Sequence, residues 1–183
     1  MTEEGSLHAA IHEEVALHPY NTSWPQAFEA ERSRLLSLFP GELVAVEHIG
    51  STAVPGLAAK PIIDIMVPVS SLEDSRGAIP AAAAVGYVHF PYRAEVMHWF
   101  CKPSPSVRTH HLHMVPIASR LWIERLAFRD ALRADENLRA EYQDLKVALA
   151  GRYRHDRDGY TDAKSPFIQR VLSGAAKGDV HTA

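Results

Sequence analysis

The chain has 183 residues, a length typical of one globular domain, and 46% of its residues are hydrophobic while 22% are charged. This composition excludes a disordered or fibrous protein. A formal net charge of −3 provides no overall attraction to polyanions, so we expect neither a nucleic-acid polymer nor a membrane among its partners.

The chain ends predict short extensions around a single domain. Residues 1–17 are rich in glutamate and lack the basic and apolar regions of a signal peptide. We predict a flexible leader over 1–17, one domain over 18–176 and a frayed tail over 177–183. The single cysteine, Cys101, excludes an internal disulfide and favours a reducing, cytoplasmic location.

The first half of the chain predicts a helix followed by two strands. A capping-box pattern at Ser23–Gln26 and apolar residues at helical spacing predict a helix over 24–39. Apolar runs at 43–46 and 61–67 have the length and composition of buried strands. The segment between them, 50–57, is dense in small and turn-forming residues and is predicted to be a loop.

The second half predicts more strands and then helices. Residues 72–85 are predicted to be helical, and 87–102 and 109–116 to be strands. Helical periodicity returns from Trp122 onward, with a predicted cap at Asp135. The fold class is therefore α+β (α/β mixed), with a mixed sheet flanked by helices on one side or end and a helical C-terminal third.

The first candidate site surrounds the loop at 50–57. Gly50 permits close backbone approach to a ligand, and Ser51 and Thr52 offer hydroxyl and amide groups to a phosphate. Lys60 precedes a strand in which Asp64 is flanked by apolar residues. Burying that carboxylate requires a cation, hydrogen bonds or an open cleft. The alternative is that the glycine-serine-threonine segment is only a turn.

The second candidate site is rich in histidine. His111 and His113 are two residues apart on one predicted strand face, a spacing that suits two ligands of one metal ion. His48, Asp64 or His98 would complete the set. His113 also suits a general acid or base near neutral pH. Alternatively, one histidine bonds within the sheet and the others lie on an exposed edge.

Basic residues form a third group. In the helical C-terminal third they are interspersed with acidic residues, which predicts ion pairs on solvated helix faces. Lys60 and Lys164 are the stronger candidates for contacting a phosphate, and Arg93 is added to this ligand-binding set.

Residues 47–64, EHIGSTAVPGLAAKPIID, carry a family resemblance. The Gly50-Ser51 pair, followed after twelve residues by an aspartate on a strand, resembles the signature of the nucleotidyltransferase superfamily. More narrowly, the whole stretch resembles the GrpB family. Four later blocks agree with that family in order, 111–113 (HLH), 128–133 (FRDALR), 142–146 (YQDLK) and 160–164 (YTDAK).

The resemblance implies a nucleotidyltransferase-like fold, and a similar domain is found fused behind dephospho-CoA kinase in some proteins. The chain departs from the pattern of the enzyme superfamily at Met66, which replaces the second acid of an Asp-x-Asp pair. A thioether is a poor magnesium ligand, and two-metal transfer needs several carboxylates. Glu47 or Glu95 would have to supply the missing acid.

The resulting hypothesis is a phosphorylated small-molecule ligand, a nucleotide or a CoA-related compound, with Asp64 and His113 as catalytic candidates. The predicted cofactor is a divalent cation, Mg²⁺ or Mn²⁺ before Zn²⁺, with Asp64, His111, His113 and His48 as its candidate ligands. Transfer chemistry as in nucleotidyltransferases is one outcome. The alternatives are a non-catalytic binding or interaction module that lost the second acid, and a histidine-metal hydrolase. The sequence indicates no oligomeric state.

Overall fold

A computed structural model describes residues 14–39 and 45–178, with side chains up to residue 174. In chain order, the helices and strands are α1 (Trp24–Leu38), β1 (Glu47–Ile49), β2 (Ile63–Val69), α2 (Ala78–Ala84), β3 (Val88–Phe90), β4 (His98–Pro103), β5 (Arg108–Pro116), α3 (Arg120–Ala134), α4 (Glu136–Arg152), α5 (Arg157–Asp162) and α6 (Ser165–Gly178). Short 3₁₀ turns cover Ser51–Ala53 and Asp74–Gly77.

The five strands form one mixed sheet in the order β1-β2-β5-β4-β3. The central pair, β2 and β5, is parallel, and the other pairs are antiparallel. In the parallel pair, Asp64 lies opposite His111 and Met66 lies opposite His113. Since paired residues share a face, all four of these side chains project from the same side of the sheet.

Helices cover both faces of the sheet. On one face, α1 and α2 pack against strand residues such as Ile65 and Leu112. On the other face, Leu121 and Trp122 of α3 pack against a cluster that includes Met66. The prediction of helices on one side or end was therefore wrong, because each sheet face carries apolar residues that need a covering layer.

The C-terminal helices pack against the loop between β1 and β2. Val54 and Leu57 of that loop are fully buried among Leu132, Tyr142 and Phe167. In this way the helical third of the chain becomes a wall for the loop that carries Gly50 and Lys60.

The fold class is confirmed, and several boundaries are close to those predicted. The Asp135 cap is present, with its Oδ1 accepting the N–H groups of Asn137 and Leu138. The strand predicted over 43–46 is displaced, since β1 begins at Glu47; residues 43 and 44 lie outside the described residues.

Two other predicted elements are shorter than expected. The predicted strand over 87–102 is divided into β3 and β4 by a turn in which Arg93 has a φ of 50°. The predicted helix over 72–85 contains a 3₁₀ turn and then α2, in which Pro80 occupies the first helical turn, where proline is tolerated.

The predicted leader is partly incorporated into the packed domain. Val15 is 4% exposed, and its N–H donates to the carbonyl of Arg154 at 2.8 Å. The neighbouring Glu14 pairs with the Arg154 guanidinium. Residues 1–13 and 179–183 are not among the described residues. Within the described part of the chain, the helices are too short or too polar to span a membrane.

Candidate metal centre and its surroundings

Asp64, His111 and His113 meet on one face of the central parallel pair of strands. Asp64 Oδ1 lies 2.9 Å from His111 Nδ1 and 3.6 Å from His113 Nε2. One ligand atom from each of the three side chains lies within 4.8 Å of the others. Among the described residues, no other group of three or more histidine, cysteine or acidic side chains meets in this way.

The histidine partners keep Asp64 ionised. Burial acts to raise the pKa of Asp64, but its interactions with His111 and His113 outweigh burial, so this pKa lies below its ordinary value. A carboxylate only accepts hydrogen bonds, so His111 Nδ1–H donates to it. The Nε2 atoms of both His111 and His113 are buried without a hydrogen-bond partner.

The cluster has an aromatic wall and a neutral histidine. The ring of Trp99 lies 5.0 Å from that of His111. Burial lowers the pKa of His113 despite the opposing influence of Asp64, so its imidazole is uncharged at neutral pH. An uncharged imidazole offers a lone pair, which is what a metal ion requires of a histidine ligand.

Gly50 allows the loop to pass directly over Asp64. Its backbone has a φ of 72° and a ψ of −174°, a region adopted essentially by glycine alone. A Cβ atom on Gly50 would lie 2.5 Å from Asp64 Oδ2, closer than real contacts permit. The glycine is therefore required both by its backbone angles and by the carboxylate beneath it.

The predicted hydroxyl groups of the phosphate loop already have protein partners. Thr52 is 1% exposed, and its hydroxyl donates to the carbonyl of Ile62 at 3.1 Å. Ser51 is half-buried and interacts with Tyr142. Thr52 thus holds the two ends of the loop together, and the Gly50-Ser51 backbone remains beside Asp64.

His48 does not join the metal cluster. Its pairing with Ile65 places it on the opposite sheet face, where its ring stacks on Phe28 at 4.6 Å. His48 Nε2 lies 3.0 Å from Thr52 Oγ1. Because the Thr52 hydroxyl proton is given to Ile62, His48 Nε2–H is the donor in this bond. His98 likewise lies away from the cluster, with its Nε2 2.8 Å from the carbonyl of Leu72.

The ionisation of His48 gives a measurable pH effect. Burial is the main cause that lowers the pKa of His48 to about 4. Because the unfolded imidazole titrates near 6.5, the unfolded chain binds the extra proton first as the pH falls. We expect His48 to contribute about 3 kcal/mol of stability above pH 6.5 that is lost by pH 4.

Urea unfolding of wild type and His48→Gln between pH 4 and pH 7.5 measures this contribution. Glutamine still donates to Thr52 but does not titrate, so the variant should have the flatter pH profile. The same replacement at exposed His18 is the control. Parallel profiles for wild type and His48→Gln would contradict the assignment.

The three predicted basic ligands occupy different places. Lys164 is half-buried, with its Nζ 4.2 Å from the centre of the Tyr160 ring. Burial, followed by the charge of Arg125, lowers the pKa of Lys164 to about 8, while Asp64 opposes that change. The charge of Lys60 also acts to lower the pKa of Lys164. Arg93 is exposed in the turn before β4.

The structure also locates the residues at the position of the missing acid. Met66 is fully buried on the cluster face, opposite His113. Glu47 of β1 pairs with Met66 of β2, but the Glu47 carboxylate accepts a hydrogen bond of 2.6 Å from Arg129 Nη1. Glu95 is exposed in the turn before β4. The described residues therefore provide one carboxylate at this centre, which suits one cation rather than two.

Four helix residues hold the β1–β2 loop, a role that sequence reasoning did not assign to them. Arg129 and Arg133 donate to the carbonyls of His48 and Ala53 at 3.1 and 2.9 Å. Gln143 and Lys146 contact the backbone of Ala58. These partners are 80 to 88 residues apart in sequence, so no local pattern could indicate them.

A separate cavity of about 510 Å³ lies at the other end of β2. Its lining includes Phe39, Val69 and Ile117, together with the polar residues Ser70 and Asp74. The metal-cluster residues do not line it. This cavity is therefore separate from the Asp64 cluster and its ionisable groups.

The geometry defines a mixed α+β protein with a candidate single-metal centre beneath a glycine-serine loop. The GrpB protein family matches residues 14–173. The chain therefore belongs to the GrpB family, and the resemblance carried by residues 47–64 is confirmed.

Known relatives agree with this assignment. A UPF0157 protein of Streptomyces coelicolor is 39% identical over 166 residues, covering 90% of this chain and 87% of the relative. The crystal structure of the conserved protein GrpB from Enterococcus faecalis has a TM-score of 0.80 at 32% identity, covering 91% of this chain and all of that one. A dephospho-CoA kinase of Mycolicibacterium paratuberculosis is 28% identical over 180 residues, which cover 85% of this chain but only 44% of the kinase.

Proposed function

We propose that this protein binds a phosphorylated small molecule at a single divalent transition-metal ion held by Asp64, His111 and His113. The observation that carries the proposal is the meeting of these three side chains, with His113 Nε2 buried and without a hydrogen-bond partner. Buried polar atoms are nearly always satisfied, so such a nitrogen calls for a partner. A metal ion that replaces the proton between His111 Nδ1 and Asp64 Oδ1 would accept lone pairs from both histidines and the carboxylate.

The donor set favours a transition metal over magnesium. Mg²⁺ prefers oxygen ligands, whereas imidazole suits zinc, copper, iron and nickel; Mn²⁺ is a transition metal that the carboxylate oxygen of Asp64 also suits. Three protein ligands leave positions for water or substrate, as in catalytic rather than structural sites. When bound, such an ion supplies Lewis-acid polarisation of a phosphoryl oxygen. The chain's own contribution is to hold Asp64 ionised and to keep the three donor groups together on one face of the sheet.

Cationic side chains support an anionic ligand. Burial, followed by the charge of Arg125, lowers the pKa of Lys164; the charges of Lys60 and Arg157 act in the same direction, and the charge of Asp64 opposes them. Arg125 also acts on His113 in the cluster. A half-buried lysine with a lowered pKa, close to the charge of Asp64, is the kind of perturbed group that concentrates at functional sites.

A nucleotide or CoA-related compound fits this arrangement as the ligand. Its phosphate groups would meet the metal and the cations from Lys60 and Lys164, with Gly50 and Ser51 providing close backbone approach. The relative named dephospho-CoA kinase makes CoA precursors sensible first probes. Arg93 is left out of this ligand set because it is exposed in the turn before β4.

A second candidate function is ligand binding without transfer chemistry. The specific observation in its favour is Met66, which is fully buried where a second carboxylate would be needed. With one cation and no second acid, the centre resembles a binding or hydrolytic site more than a two-metal transferase. Incubating the metal-loaded protein with ADP or dephospho-CoA and assaying for released phosphate or transferred product distinguishes turnover from binding alone.

Metal and ligand binding are tested on protein purified without a polyhistidine tag. We expect Mn²⁺ or Zn²⁺ to stabilise the wild type, by about 2.7 kcal/mol at a hundredfold excess over the dissociation constant. Mg²⁺ should have a much smaller effect. ADP or dephospho-CoA should add stability only when the metal is present. Asp64→Asn and His113→Gln should lose both responses. Thermal unfolding and elemental analysis provide the measurements.

His110→Gln is the matched control, because His110 is the neighbour of His111 on the opposite face of the same strand. It should respond to metal as the wild type does. Equal responses in wild type and His113→Gln would contradict the metal centre. If the ligand binds equally well without metal, the phosphate site would stand, but the proposal that a cation forms part of it would be wrong.

A further inference from the structure

One turn of α4 holds the far end of the loop that carries Lys60. The Ala58 N–H donates to Gln143 Oε1 at 2.8 Å, and the Ala58 carbonyl accepts a hydrogen bond from Lys146 Nζ. Both polar groups of one loop residue are therefore bound by side chains three residues apart on one helix face.

The next loop residue is held as well. Ala59 pairs with His18 through two backbone hydrogen bonds, of 2.8 and 2.9 Å. With Ala58 and Ala59 both fixed, the chain reaches Lys60 with its direction set. Tyr142, adjacent to Gln143, interacts with Ser51 near the other end of the loop. The same short stretch of α4 thus contacts the loop at both ends.

This arrangement is more costly than loop anchoring requires. Lys146 is 2% exposed and has no carboxylate partner within the described residues; its Nζ contacts the Ala58 carbonyl and the Tyr142 ring. Burying an ammonium group against a neutral carbonyl is unfavourable, and a neutral donor would hold that carbonyl at lower cost. The use of a buried lysine to hold the backbone of Ala58 indicates that the position of this segment matters.

We propose that Gln143 and Lys146 are positioning residues, which fix the Ala58–Lys60 segment so that Lys60 meets the phosphate of a ligand held at Asp64. The inference rests on the proposed function. Both residues act through the backbone of Ala58. Their replacement should therefore change the affinity for the anion and leave the affinity for the metal unchanged. Holding a binding group in its bound geometry beforehand lowers the entropy that binding must overcome.

The test compares Gln143→Leu with Gln143→Glu. Leucine removes the acceptor for the Ala58 N–H, whereas a glutamate carboxylate restores it. The probe is inorganic pyrophosphate with Mn²⁺, measured by calorimetry. We expect Gln143→Leu to weaken pyrophosphate binding about tenfold with the Mn²⁺ affinity unchanged, and Gln143→Glu to stay within about threefold of wild type. Hydrogen exchange at the Ala58 amide should become faster only in the leucine variant.

The outcomes separate this inference from the proposed function. If the wild type binds Mn²⁺ and pyrophosphate but Gln143→Leu binds both equally well, the positioning role is overturned and the proposed function stands. Equal losses of Mn²⁺ and pyrophosphate affinity in Gln143→Leu would indicate a general structural effect and would also overturn it. A wild type that binds no pyrophosphate in the presence of Mn²⁺ would overturn both.

Discussion

Replacing Lys146 with methionine is expected to remove a large part of the stability that the wild type gains between pH 7 and pH 10. Burial, followed by the nearby charge of Lys164, lowers the pKa of Lys146 to about 7 from 10.5. Between these values the unfolded chain binds more protons than the folded one, so stability rises with pH. The full difference is about 5 kcal/mol.

Whether Lys146→Met stabilises or destabilises the protein depends on pH. Near pH 7 and below, replacement by methionine removes the unfavourable buried charge of Lys146. Lys146→Met should therefore be at least as stable as the wild type. Near pH 10, the wild-type amine is uncharged and still donates to Ala58, so the variant should be the less stable protein. Chemical unfolding at pH 7, 8, 9 and 10 gives the two curves.

Val147→Met is the matched control for this experiment, because Val147 is the next helix residue and is 55% exposed. Its pH profile should follow the wild type. If Lys146→Met also follows the wild type across the whole range, Lys146 is not the buried titrating group that its surroundings indicate.

Replacing Gly50 with alanine should have the second largest effect. The new Cβ would meet Asp64 Oδ2 at 2.5 Å, and the backbone at φ 72° and ψ −174° disfavours any side chain. Backbone strain and steric overlap each cost about 1–3 kcal/mol, so we expect a loss of about 3–5 kcal/mol in the free energy of unfolding. Because relief of the clash displaces Asp64, the response to Mn²⁺ should be lost as well.

Gly86→Ala separates the two causes. Gly86 also has a positive φ, of 91°, but a Cβ there meets no atom within 4 Å. This control should lose about 1–2 kcal/mol and keep its response to Mn²⁺. Equal losses in the two variants would show that contact with Asp64 contributes nothing, and the close packing of the loop on the carboxylate would have to be abandoned.

The proposed single-metal centre changes the emphasis among the functional hypotheses. A nucleotidyltransferase resemblance favours magnesium and a second acid, yet the protein has buried Met66 at that position and two histidines at the centre. Those residues suit a transition metal and either simple binding or hydrolysis. Restoring the acid alone would therefore leave a mixed donor set, and the histidines are the more informative residues to mutate.

The sequence by itself determined the features that arise from neighbouring residues. Alternation along β5 placed His111 and His113 on one face, and the polar cap at Asp135 separated two helices. Turn-forming residues marked the loop that begins at Gly50. These patterns depend on backbone periods of 2.0 and 3.6 residues, which a single segment reveals without its partners.

Only the tertiary structure decided which of these residues meet. The parallel pairing of β2 with β5 brings Asp64 to His111, 47 residues away, while the register of β1 turns His48 to the opposite face. Lys146 reaches Ala58 across 88 residues. Such contacts depend on strand order and on which apolar faces are buried together, and a one-residue change of register would reverse every side chain involved.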